Sequence, residues 1–313
     1  MEPATKRHYR HAAGRIARYS GVSESQAVQE ILEWAEKGET ASQRHVGYYL
    51  MNHDPLEKQA QRRHFLYLLL SALFPCVFAV ILSLLCGRIW VGFLSLLPLG
   101  QLTQMILRPI LSWKILPRHL PRMELPPEKD QPVTVLALVS LLPDLEGLGA
   151  IRNKLERLYH ANRGSNMLYC FLADYPEARK PWFPQDNQRL EAVRGMIEAL
   201  NTQYENQFLL AVRRRVWCKT QDKYCGWERE RGAITELIRF ARGGETTIHC
   251  FVGNREYLCG ARYLLAFNKD TELGFDSAQR LLTAALHPLN APVLENGATV
   301  QVGSSALRWR KEN

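Results

Sequence analysis

The chain has 313 residues, enough for one large domain or two modest ones, and 40 Lys+Arg against 31 Asp+Glu give it a net charge of +9. A basic balance of this kind favours anionic partners such as nucleotides, nucleic acid or acidic lipid headgroups. Seven cysteines (Cys76, Cys86, Cys170, Cys218, Cys225, Cys250, Cys259) form no Cys-x-x-Cys pair and no Cys/His spacing, which argues against zinc and for a reducing compartment.

Residues 1–60 read as a helical arm. Ser23-Glu24-Ser25-Gln26 has the spacing of a capping box, and Ala27, Val28, Ile31, Leu32 and Ala35 then fall on one helical face before Gly38. No constellation of side chains here suggests chemistry. His45 and Tyr48-Tyr49 in "RHVGYYL" read as packing at a helix start.

Residues 61–116 read as a transmembrane hairpin. From Phe65 to Cys86 there is no charged residue, which suffices to cross a hydrocarbon core of about 30 Å as a helix. A second apolar run extends from Ile89 to Leu107. Pro75 and Pro98 lie inside these runs, where membrane helices tolerate them. Lys58, Arg62 and Arg63 precede the first run and Arg108, Lys114, Arg118 and Arg122 follow the second, whereas the turn carries only Arg88. The positive-inside rule then places both arms, and both termini, in the cytoplasm with the turn facing out. Trp90 and Trp113 stand where interfacial aromatics are usual. Contact of the basic flanks with lipid accounts for the net charge without nucleic acid.

A proline-rich crossing, 117–132, reads as an extended linker. Beyond it, 133–313 alternates: strand 133–142, helix 148–161, strand 166–174, helix 187–204, strand 207–215, helix 231–241, strand 263–270, helix 277–286. That order predicts an α/β domain with a mostly parallel sheet, whose ligands gather at the carboxyl ends of the strands. Asp174 and Asp270 occupy such ends.

Four stretches carry a resemblance: "RHVGYYL" (44–50), "LYHANRGSNMLYCFLADYPEA" (158–178), "GWERERGAITEL" (226–237) and "RYLLAFNKDTELGFDSAQRLLTAALHPLNAP" (262–292). In this order, with the paired spans, the chain resembles the N-terminal membrane and glycosyltransferase portion of bacterial cyclic β-1,2-glucan synthases. The Gly-Trp-Glu-Arg-x-Arg-Gly and His-Pro-Leu-Asn-x-Pro runs are its specific part. The resemblance implies a partial GT-A-like domain that moves glucose, with inversion, from UDP-glucose to a growing glucan.

On that reading Asp174 contacts the uridine; on its own it is equally an acid that closes a strand before the Tyr175-Pro176 turn. Glu228, Arg229 and Arg231 open a helix whose N-terminal amides suit a diphosphate, or else form a solvated charge cluster. Trp227 reads as a packing residue. The family pattern Leu-Asp-Ala-Asp-Thr is here Phe267-Asn268-Lys269-Asp270-Thr271. Residues i and i+2 of a strand share a side, so Asp270 and Asn268 are the candidate ligands for Mg²⁺ or Mn²⁺. An amide offers an oxygen without charge, so metal binding is expected to be weak or lost. The family's general base and Arg-Trp motif lie beyond the His-Pro-Leu-Asn-x-Pro run; Arg308-Trp309, with Ser305 before it, has the wrong spacing for that motif. The expectation is a truncated homologue of weak or no activity alone, or a membrane-tethered subunit whose site a partner chain completes.

Overall fold

The computed structural model describes residues 1–40, 42–112, 120–295 and 298–302, with the backbone alone at 55–64, 111–112, 293–295 and 298–302. Trp113, Lys114, Arg118, Ser305 and Arg308-Trp309 lie outside the described residues. Two compact units emerge: Met1–Glu124 with Ala284–Asn313, and Leu125–Thr283. The His-Pro-Leu-Asn stretch, grouped with the sheet in the sequence reading, falls in the first unit.

In that unit α1 (Pro3–Ser20) ends on Gly21, whose φ of 71° is the left-handed cap that glycine adopts without strain. In α2 (Glu24–Glu36) the Ser23/Gln26 capping box forms as expected. Its buried stripe is narrower than the pattern suggested: Ala27, Ile31 and Ala35 are buried, but Val28 and Leu32 are 39% and 47% exposed. Of the five, only the i, i+4, i+8 row is buried. α3 (Val46–Asn52) begins at His45, whose Nδ1 accepts from the Gly47 amide at 3.1 Å.

The unit's core joins Tyr9, Ala12, Ala13, Ile31, Leu50 and Met51 to Leu289. A Cβ on Gly47 would lie 2.1 Å from the Tyr9 hydroxyl and 2.9 Å from Leu289, so glycine is required there. His287 is wholly buried. Its Nδ1 accepts from the Leu289 amide, its Nε2 lies 3.5 Å from the Tyr9 hydroxyl, and its ring stands 4.8 Å from that of His45. Burial, then His45 and the N-terminal amine, push its pKa down to about 4. Two motifs, 44–50 and 287–292, thus pack on each other.

α4 (Pro55–Cys86) and α5 (Ile89–Ser112) contain two stretches, Phe65–Cys86 and Ile89–Ile110, long and apolar enough to cross a membrane. They do not form a soluble core: Leu84 and Leu85 are each 77% exposed and Leu94 83%. The helices approach closely at Gly92, where a Cβ would come within 2.7 Å of the Ala79 carbonyl. Small residues at such crossings let helix backbones meet.

The second unit is an α/β sheet. Its five-stranded order is β6-β3-β2-β1-β7, built from β1 (Thr134–Leu141), β2 (Met167–Asp174), β3 (Phe208–Arg213), β6 (Ile248–Val252) and β7 (Tyr263–Asn268). All neighbours are parallel except β3 and β6. β1 and β2 read as continuous apolar runs because both of their faces are covered. On one face Val135, Ala137, Leu168, Cys170 and Leu209 meet Ala233 and Leu237 of α8 (Arg229–Ala241). On the other, Tyr169 and Phe208 meet Tyr159 of α6 (Leu148–Ala161), and α7 (Pro184–Gln203) packs along β3.

Several short elements were not anticipated. β4 (Val216–Cys218) and β5 (Lys223–Cys225) form a short hairpin, β6 runs antiparallel, and α9 (Arg255–Cys259) is a single turn capped by Asn254. α10 (Ser277–Ala285) follows β7, and Asn162 Oδ1 accepts from the Ala278 amide at its start. Strands β8 (Pro292–Glu295) and β9 (Ala298–Val302) pair antiparallel beyond it.

Candidate functional site

The carboxyl ends of β2 and β3 lie side by side, with Asp174 opposite Arg213 in register. Arg213 is 0% exposed and Asp174 6%. A bare guanidinium at that depth would be prohibitively unstable, so each donor needs a partner. Each has one. Nε and Nη2 donate to the two Asp174 oxygens at 2.7 and 2.5 Å. Nη2 also donates to the Arg229 carbonyl at 2.9 Å, and Nη1 donates to the Trp227 carbonyl at 3.1 Å and Glu236 Oε1 at 3.4 Å. Glu236 Oε2 in turn accepts from the amide and hydroxyl of Thr247, just before β6. Burial holds the Asp174 carboxyl above the usual carboxylate range, against the pull of Arg213.

This network shapes the loop that carries Gly-Trp-Glu-Arg-x-Arg-Gly. A Cβ on Gly226 would sit 2.4 Å from Asp174 Oδ2, and one on Gly232 would sit 1.8 Å from the Trp227 carbonyl oxygen. Between them Glu228 and Arg229 adopt φ of 49° and 40°. Left-handed backbone at non-glycine residues costs about 1–3 kcal/mol each and persists where surrounding contacts impose it. Here Arg213 imposes it, through two of the loop's carbonyls.

The side chains of that loop point outward. Arg231 donates to both Glu228 oxygens at 2.7 and 2.6 Å, and Arg229 is paired with Glu177. The Arg229 hydrogen bond holds the Glu177 carboxyl below its usual range. Of the expected nucleotide-sugar residues, Glu228, Arg229 and Arg231 therefore stand exposed at one mouth, while Asp174 lies beneath them, committed to Arg213.

A second clamp lies beside the first. Arg215, 8% exposed, donates to Asp186 at 2.5 and 3.0 Å and to the Pro176 carbonyl at 2.6 Å, and its guanidinium lies 5.0 Å from the centre of the Tyr175 ring. Asp186 is half of a capping interaction, accepting from the Phe183 amide at 2.9 Å. Burial acts to raise its pKa, but Arg215 and that amide outweigh it and hold the carboxyl below its ordinary value.

The end of β7 is different. Asn268 is its last residue, beside Val139 of β1. Its Oδ1 accepts from the amides of Asp270 and Thr271 at 3.2 and 3.1 Å and from the Thr271 hydroxyl at 2.8 Å. That is an Asx turn, and three donors saturate an oxygen with two lone pairs. Asp270 is exposed in the turn beyond the strand. The Lys154 ammonium donates to the Lys269 carbonyl; burial lowers its pKa, and Glu272 and Asp270 oppose that shift. A cavity of about 280 Å³ opens beside the turn, walled by Lys154, Arg157, Phe267, Glu272 and Phe275.

Among the described residues no group of three or more His, Cys, Asp or Glu is arranged to hold a metal ion. Asn268 serves as a turn residue, leaving Asp270 as the carboxylate at this strand end. Of the two oxygen ligands expected for Mg²⁺ or Mn²⁺, the Asn268 oxygen is thus engaged by its own turn and the Asp270 carboxylate is exposed two residues on. Asp174 and Asn268 lie two strands apart across β1 and two residues out of register, roughly 12 Å at the usual strand spacing and rise.

Sequence reasoning missed Arg213, Arg215, Asp186 and Glu236. The signal was present in "QFLLAVRRR": a cation closing an otherwise apolar strand, with acids at the neighbouring strand end and in the next helix, is a buried pair awaiting its partner.

An α/β unit with a strained loop at the carboxyl ends of parallel strands, preceded in the chain by two apolar helices, is the class of protein these features define. No protein-family model matches the chain. A curated relative does: the cyclic β-(1,2)-glucan synthase NdvB of Rhizobium meliloti (strain 1021), 28% identical over 183 residues. The similarity covers 56% of this chain and 6% of the relative, so the chain corresponds to a small part of that protein. This supports the family relationship suggested by the motifs.

Proposed function

We propose that the chain is a membrane-anchored, glycosyltransferase-related protein that uses the carboxyl edge of its sheet as a site for a nucleotide sugar. By the relationship to a glucan synthase the donor is UDP-glucose and the acceptor a β-1,2-glucan. The observation that carries this reading is the Arg213 network. It places a backbone-strained loop, with Arg229 and Arg231 outward, at the strand ends where α/β sheets bind ligands. The exposed pairs Arg229–Glu177 and Arg231–Glu228 are of the kind worth only about 0–1 kcal/mol, so a diphosphate can exchange for the carboxylates.

Because the Asn268 oxygen is engaged in its turn, metal-assisted departure of the diphosphate is weak here and transfer by the chain alone is slow or nil. The two apolar helices form a hairpin in the bacterial cytoplasmic membrane, with the sheet unit on the cytoplasmic side, as the flanking lysines and arginines favour.

Calorimetric titration of the detergent-solubilised full chain with UDP, with and without Mn²⁺ or Mg²⁺, tests this. Weak UDP binding is expected, reduced severalfold by Arg229→Ala with Arg231→Ala and little changed by metal. Silence at millimolar UDP refutes the nucleotide-sugar reading. UDP-glucose turnover that Asp270→Ala abolishes refutes the inactive one.

A second reading, a subunit whose site a partner chain completes, is favoured by the sheet order. β7 is the last strand of the sheet, and among the described residues nothing pairs with its outer edge. Open strand edges are templates for an added strand. Purification from native membranes in mild detergent should then yield a stoichiometric second protein; the chain emerging alone ends this reading.

A further inference from the structure

The β4–β5 hairpin and the loop at 225–229 enclose a cleft of about 610 Å³, within the range of about 300–1,000 Å³ usual for small-ligand sites. Trp217 stands on the hairpin and Trp227 on the loop, 46% and 43% exposed. Neither indole is loose. Trp217 packs edge-on against Tyr224 at 5.0 Å, directly across the hairpin. Two backbone hydrogen bonds between Ala178 and Tyr224, at 3.0 and 2.8 Å, fasten the hairpin to the chain after β2. Trp227 is fixed by Arg213 at its carbonyl, and its ring lies over Gly232, where a Cβ would come 3.0 Å from ring atom Cε3.

The polar lining tells what this cleft suits. Arg229 and Glu228 are already neutralised by Glu177 and Arg231, which leaves Lys219 and the Gln221 amide as donors toward the opening. Preordered indoles with a few hydrogen-bonding groups, Arg229 and Glu228 being paired and Lys219 offering an ammonium donor, match a hydroxyl-rich ligand with apolar C–H faces. Large aromatic surfaces held exposed in a cleft of this kind mark a binding site.

We propose that the cleft between Trp217 and Trp227 is a docking site for a neutral gluco-oligosaccharide, pyranose faces stacking on the indoles and hydroxyls accepting from Lys219 and Gln221. The choice of a glucan among neutral sugars rests on the function proposed above. The cleft then holds the acceptor on the hairpin side of the 226–232 loop, beside Arg229 and Arg231, which take the donor's diphosphate on the function proposed above. Trp227, taken from sequence as a packing residue, both packs on Gly232 and presents ring surface to the cleft.

The test is titration of the full chain, in a detergent without a sugar headgroup, with β-1,2-linked glucopentaose and separately with UDP. Tryptophan fluorescence and saturation-transfer NMR read the binding. The pentasaccharide should bind, with transfer to pyranose C–H protons; Trp217→Ala should weaken it at least tenfold, Trp217→Phe less than threefold and Lys219→Ala a few fold. UDP affinity should be the same in all three variants, and UDP should not displace the sugar. UDP binding without pentasaccharide binding overturns the cleft proposal and leaves the nucleotide-sugar reading standing. Sugar binding that Trp217→Ala leaves intact, or that UDP displaces competitively, also overturns it. Should Trp217→Ala fail to fold, Lys219→Ala still decides, since sugar binding that it leaves unchanged places the sugar elsewhere.

Discussion

The ends of β2 and β7 flank the same central strand, β1, and are built in opposite ways. At β2 an acid is buried against a buried arginine that also grips the backbone of the next loop. At β7 an amide folds back on its own turn and the acid beyond it stays in water. The first arrangement spends charge on rigidity; the second leaves a carboxylate uncommitted in a local turn. A strand-end acid is therefore no guide to ligand contact by itself: the better supported of the two structurally, Asp174, is the one whose oxygens are already taken.

The sharpest way to break this contrast is Arg213→Met. It strands Asp174 and Glu236 without their partner, and removing one member of a buried pair costs about 3–5 kcal/mol. Denaturant unfolding of the sheet unit in the full chain should report that loss, against a change within about 0.5 kcal/mol for the exposed Asp270→Ala. Equal effects would show that the two ends are not differently built. Gly226→Ala comes next: its Cβ has no room beside Asp174, and overpacking of this kind costs about 1–3 kcal/mol. A neutral result would mean the loop can retreat from β2. Smallest in stability is Asn268→Asp, which keeps an oxygen to cap the turn and adds a second carboxylate to Asp270. Unfolding should be nearly unchanged while Mn²⁺ affinity, read by calorimetry, rises; no rise means the turn points both groups away from a common cation.

Much of the fold was legible because its signals are local. Apolar runs marked β1, β2, β3 and β7, and the capping box at Ser23 marked α2. The hairpin at 216–225 escaped because three-residue strands carry no periodicity, and β6 because nothing in "TTIHCFV" reports direction. The exposure of Val28 and Leu32 escaped because a helical face predicts what can be buried, not how wide the neighbouring surface is. At the strand ends, Glu228, Arg229 and Arg231 were singled out by motif and stand exposed on one loop. Arg213 was not found, since its meaning lies in an acid 39 residues earlier in the chain that only strand pairing brings alongside.

The seat of Leu289 among Tyr9, Gly47 and Met51 sets a rule for dissecting the chain. Anyone who trims away residues 1–124 to obtain the sheet unit without its apolar helices also unroofs His287 and leaves an oily knob at the fragment's tail. Such a piece would clump for reasons that have nothing to do with its sheet, and supplying the missing helices in trans should keep it dispersed.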